Sequence, residues 1–126
     1  MKRPQSLAEV AEISSSLNEL SYHLADFLHE FESNPDLAMV TETPRLLSGL
    51  FQGGEIADAY LAATAEALAV RVGHPRPEWT EAPERYLRQP WFASPGASMR
   101  ACLLLESPAA FRQRNLFVTA NALSVA

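Results

Sequence analysis

An all-α fold is predicted by three features of this 126-residue sequence. Apolar residues recur at helical spacing over two long segments, and capping residues stand at the start of one segment after another. The single β-like triplet, Leu116-Phe117-Val118, is too short to found a sheet unless it pairs elsewhere. The expected architecture is a helical bundle with one long N-terminal helix and two or three shorter ones (residues 1–73). A C-terminal clasp of short helices (residues 74–126), rich in aromatics and proline, completes one domain, 1–126. A chain of this length can build one hydrophobic core without staples.

Ser6 with Glu9 three residues later is a capping box, and it opens the first helix. Behind it Val10, Ile13, Leu17, Leu20, Leu24, Phe27 and Phe31 alternate at spacings of three and four, which makes one apolar seam. The pattern predicts a continuous helix from Leu7 to Glu32, about 39 Å long. Such a seam packs on helices of its own chain or on its twin in a homodimer, and the amphipathic segments that follow favour the first. Ser33-Asn34-Pro35 ends the helix and can start a short one through Met39 and Val40, with proline at the first helical position. Thr43-Pro44 repeats the device ahead of Arg45-Leu46-Leu47. Gly53-Gly54 breaks the chain, and a helix runs from Glu55 to Val72 with Ile56, Tyr60, Ala63, Ala67 and Val70 along one face. Gly73, Pro75 and Pro77 stop it. Seven alanines in this helix let neighbours approach closely.

In the last third each short helix is announced by a cap. Thr80 precedes Glu81–Leu87, Ser94 or Ser98 precedes Met99–Leu105, and Ser107-Pro108 precedes Ala109–Arg112. Thr119 can open one more turn. Trp79, Tyr86, Trp91, Phe92, Phe111 and Phe117 are the anchors expected to pin these turns onto the bundle.

Apolar content of 48% and charged content of 20% are ordinary globular values. No run reaches the ~18 apolar residues of a membrane span, and no signal peptide is visible, so a cytoplasmic protein is expected. Cys102, the lone cysteine, lies in Ala101-Cys102-Leu103-Leu104-Leu105 and reads as a buried, inert thiol. The net charge of −5 is uneven: residues 1–73 hold four basic and eleven acidic side chains, residues 74–126 six and four. That balance counts against nucleic acid and suits a basic partner, although an acidic solvated face needs none.

Chemistry-bearing patterns are sparse. Glu19, His23, Asp26 and Glu30 share one face of the first helix, and Asp26 and His29 stand three apart, a spacing found in metal-binding bundles. The second helix offers only Glu55, Asp58 and Glu66 to complete a metal shell, so the bland reading is a solvated acidic face. No nucleophile elbow, phosphate-binding glycine loop or zinc spacing is present, which argues against an enzyme and against a cofactor. Arg85, Arg88, Arg100, Arg112 and Arg114 would form an RNA- or anion-binding patch if they converged. Otherwise their forks lock the carbonyls and carboxylates of irregular segments.

From Pro77-Glu78-Trp79-Thr80 through Pro90-Trp91-Phe92, and from Glu106-Ser107-Pro108 through Phe111-Arg112 to Leu116-Phe117-Val118, the chain resembles a bacterial family of small proteins. Its members join a helical N-terminal half to a Pro-x-Trp-Thr segment, a Trp-Phe pair and a tail of the form Ser-Pro-x-x-Phe-Arg-x-Arg. The resemblance covers roughly residues 55 to 126. Some members are encoded beside nucleotidyltransferase-like toxins, which implies an antitoxin or partner-protein role. The DNA-binding helix-turn-helix of some relatives is missing here. The function expected is a non-enzymatic protein-binding domain, and the resemblance implies an antitoxin that occludes a toxin's active site. Its contact residues would be Glu19, His23, Asp26 and Glu30 with Arg112 and Arg114. Three alternatives stand beside it: an RNA- or anion-binding module, a small metal-binding protein using His23, Asp26, His29 and Glu30, and a self-associating domain.

Overall fold

The computed structural model describes residues 3–93 and 96–123. Helices α1 (Leu7–Ile13), α2 (Leu17–Ser33), α3 (Ala38–Thr41) and α4 (Gly54–Arg71) form the N-terminal half. Two 3-10 turns follow, at Glu78–Glu81 and Pro83–Arg85, and then strand β1 (Trp91–Phe92). Helices α5 (Ala97–Glu106) and α6 (Ala109–Arg112) lead to strand β2 (Leu116–Phe117). The fold is all-α, with one two-residue parallel pair in which Trp91 stands opposite Leu116 and Phe92 opposite Phe117. The β-like triplet therefore does find a partner, and stacked Phe92 and Phe117 rings, 4.9 Å between centroids, cement it.

The expected long helix is two. Ser14 turns extended (φ −99°, ψ 130°) and donates its hydroxyl to the Val10 carbonyl at 2.7 Å, ending α1. Ser16 then caps α2, accepting from the Glu19 N–H at 3.0 Å, while Glu19 Oε1 reaches back to the Ser15 N–H at 2.9 Å. A capping box stops a helix from being continuous because its first residue must be extended. The seam is nevertheless used inside the chain: Val10, Leu20, Leu24, Phe27 and Phe31 are buried, while Leu17 is half-buried and Ile13 exposed.

Helix α4 is the axis of the fold. It touches α2, α3, α6 and both 3-10 turns, and its alanines are what allow so many neighbours to approach. It is buried on nearly every side. Along the face of Ile56, Tyr60, Ala63, Ala67 and Val70, Ala63 is buried, Ile56, Tyr60 and Ala67 are half-buried and Val70 is exposed. Gly54 at its start lies against the Leu47 carbonyl, where a Cβ would collide. One core cluster draws on both halves of the chain, from Leu7 to Leu123.

Other expectations shift in detail. Residues 43–47 are not helical; there the Leu47 N–H goes to the Asp58 carboxylate at 2.7 Å and the Pro44 carbonyl to Arg85 at 2.6 Å. Asp36, not Pro35, starts α3 by accepting from the Ala38 N–H. The helix expected over 81–87 gives way to 3-10 turns, because Pro83 forces the preceding Ala82 into extended backbone (φ −62°, ψ 141°). Ser98 falls inside α5 rather than at its cap, and Ser94 lies outside the described residues.

Candidate interaction site

The arginines and aromatics of the C-terminal segment are mostly structural. Arg114 is fully buried and donates to the Ala110 and Thr80 carbonyls at 2.8 and 2.9 Å. Its Nη1 also lies 2.8 Å from Glu66 Oε1, and its guanidinium covers the Tyr86 ring. The Glu66 contact is an ion pair without an aligned hydrogen bond, and Arg114 Nε is buried with no partner among the described residues. Arg85 plays the same part higher on α4, bound to the Pro44 and Asp58 carbonyls, 3.7 Å from the Asp58 carboxylate and stacked over Trp79. The Trp79 indole in turn donates to the Val40 carbonyl at 3.0 Å. Burial pushes the Asp58 carboxyl up, against the N–H groups of Leu47 and Ser48 and the charge of Arg85. Burial likewise pushes Arg85 down, against Asp58 and Glu84. The Trp-Thr and Phe-Arg-x-Arg motifs thus specify how the clasp grips α4. Arg100 sits over Phe92, which leaves Arg88 and Arg112 as exposed arginines outside any ion pair or ring contact among the described residues; with Arg85 and Arg114 buried, the five do not make one surface patch.

Arg114 is therefore corrected from a surface contact to a core clamp; Arg112, two residues earlier, is exposed. Of the acidic face, Glu19 closes the α2 cap, and its hydrogen bonds from Ser15 hold its carboxyl below the usual range. Glu30 lies 3.9 Å from Arg3. His23 and Asp26 remain on that flank without ion pairs among the described residues. No three His, Cys, Asp or Glu side chains gather as a metal shell among the described residues; Asp58 and Glu66 are engaged in the core by Arg85 and Arg114.

Two surfaces that the sequence reading passed over are more distinctive. The first is α5. Leu103 is its buried anchor, and Ser107 ties its end to β2 by donating to the Leu103 carbonyl (2.6 Å) and accepting from the Val118 N–H (2.9 Å). On the opposite side stand Ala101, Leu104 and Leu105, spaced i, i+3, i+4 and therefore within about 100° of one another around the helix. Leu104 is 48% exposed and Leu105 84%. Cys102 is exposed as well, so its reading as a buried thiol is overturned. The signal was present: five consecutive apolar residues on a single-layer helix cannot all face inward.

The second is a cavity of about 710 Å³ between α2, the first turns of α4 and the ends of the β-pair. Leu17, Leu24, Leu28, Ile56, Tyr60 and Trp91 are among the residues that line it. It is bordered by Asn18, Ser21 and Ala25 of α2, on the flank turned away from Glu19, His23, Asp26 and Glu30. Tyr60 packs edge-on against Phe111 at 5.0 Å, and burial pushes its phenol up. A neighbouring hollow of about 790 Å³ shares Ile56 and Trp91 but carries Glu55, Glu84 and Arg88. No helix among the described residues is long and apolar enough to cross a membrane. Comparison with protein-family models, curated proteins and solved structures finds no match for this chain.

Proposed function

We propose that this chain is a non-enzymatic protein-binding domain that docks on its partner through the outward face of α5. The observation that carries this reading is the exposure of Leu104 and Leu105 beside Ala101, on a helix that has only the single inward anchor Leu103 among its described buried residues. Apolar residues grouped on a protein surface mark contact sites, because leaving them in water forgoes about 25 cal/mol per Å² that a partner would recover. The antitoxin role implied by the resemblance of the tail is the specific form proposed: α5 covers the active-site face of a toxin, such as a nucleotidyltransferase-like enzyme. The excess of acidic residues in the N-terminal half would speed encounter with a basic partner.

Affinity capture of the tagged chain from its source cells, beside the double variant L104E/L105E, tests the reading. A stoichiometric partner held by the natural chain and lost by the folded variant supports it. A partner held equally by both removes α5 from the contact. A partner-free dimer that the variant converts to monomer would make self-association the function instead.

A further inference from the structure

We infer that the cavity between α2 and α4 is a binding site for an uncharged, mainly apolar small molecule bearing one hydrogen-bond acceptor. Its volume of about 710 Å³ falls in the range of small-molecule sites, about 300–1,000 Å³. No Asp, Glu, Lys or Arg lines it among the described residues, whereas the adjoining hollow has three. The cavity's one histidine, His29, stands exposed at the rim beside Ala25. A charged group carried past the His29 rim would lose its water without gaining a counter-charge, which selects for a neutral body in the interior. Leucines of α2 and Trp91 share the lining, and Tyr60 adds a phenol beside the polar side chains of Asn18, Ser21 and Thr119. This site is separate from the α5 face, and its test does not depend on a protein partner.

The two tryptophans make the test self-controlled: Trp91 lines the cavity, and Trp79 is buried elsewhere with its indole N–H on the Val40 carbonyl. Octan-1-ol titrated into the ¹⁵N-labelled chain should shift the Trp91 indole signal saturably and leave that of Trp79 in place. Octylammonium, with the same chain length, should bind at least ~10-fold more weakly, and so should octanoate to His29→Gln, which has no imidazole to meet the carboxylate. Tyr60→Phe should weaken octanol by roughly 5- to 10-fold, and Ala25→Trp, at the exposed rim, should abolish binding while the fold persists. The inference is overturned by an unmoved Trp91 signal, by equal movement of both indoles, by octylammonium, or octanoate with H29Q, binding as tightly as octanol, or by undiminished binding to A25W. A Trp91 shift that follows protein concentration and not octanol would make a second copy the occupant, and would overturn it too.

Discussion

Arg114 and Glu66 meet at 2.8 Å in the interior, joining the last helical turn of the clasp to the middle of α4. Arg114 has no exposed surface, and Arg76 approaches the same Glu66 oxygen from outside at 3.5 Å. The pair fixes where the tail lies, since its guanidinium also holds the Thr80 and Ala110 carbonyls. Removing Arg114 leaves the Glu66 carboxylate with only the outer Arg76 and strips the Thr80 and Ala110 carbonyls of their donor.

Arg114→Ala should cost about 3–5 kcal/mol in urea unfolding, whereas Arg112→Ala, at an exposed position, should stay within about 0.5 kcal/mol. Equal effects would mean that Arg114 is not the clamp.

Two carboxylates should give stability opposite pH slopes. The carboxyl of Asp58 is raised from its ordinary 3.8 by burial, so its favourable contribution is full below that value and is lost as pH rises through the raised pKa. The penalty of Asp58→Asn should therefore shrink as pH rises from about 4. Glu19 is lowered from 4.5 by its bonds from Ser15, so its contribution is present above that value and lost as pH falls through the lowered pKa. The penalty of Glu19→Gln should shrink on acidification. Denaturation midpoints of each variant against the natural chain, across pH 3–8, read both signs.

Ser16→Ala should destabilise by about 1 kcal/mol, the usual worth of an N-cap, and should expose the Glu19 N–H to exchange. A Ser16→Ala variant in which α1 and α2 fuse would instead retain protection through residues 14–16, visible in amide exchange.

Gly54→Ala should cost roughly 1–3 kcal/mol or more. The added methyl meets the Leu47 carbonyl, and that residue cannot retreat because its N–H is held by Asp58 at 2.7 Å. Thermal unfolding is the measurement; a neutral result would show that residues 42–53 are loosely held.

Much of the helical layout was legible because periodicity and caps are local. Ser6 with Glu9, the seam from Val10 to Phe31 and the stop at Gly73 all act within a turn or two of chain. Even the break in the long helix was written locally, since Ser16 with Glu19 repeats Ser6 with Glu9; the seam that continues across it masked the signal. The contact residues were not legible in the same way. Arg112 and Arg114 have the same chemistry and stand two apart, yet one is exposed and the other buried.

By itself the sequence determined that the chain would be helical, where most helices start and stop, and that the aromatic tail would be an anchor and not a loose end. Those are consequences of capping, spacing and backbone stereochemistry, which reach only a few residues. Tertiary structure alone decided that Glu66 would neutralise Arg114, that Leu104 and Leu105 would face water, and that Tyr60 and Trp91 would line one cavity. Each of these depends on which segments meet across tens of residues, and burial of a charge or exposure of a leucine is a property of that meeting.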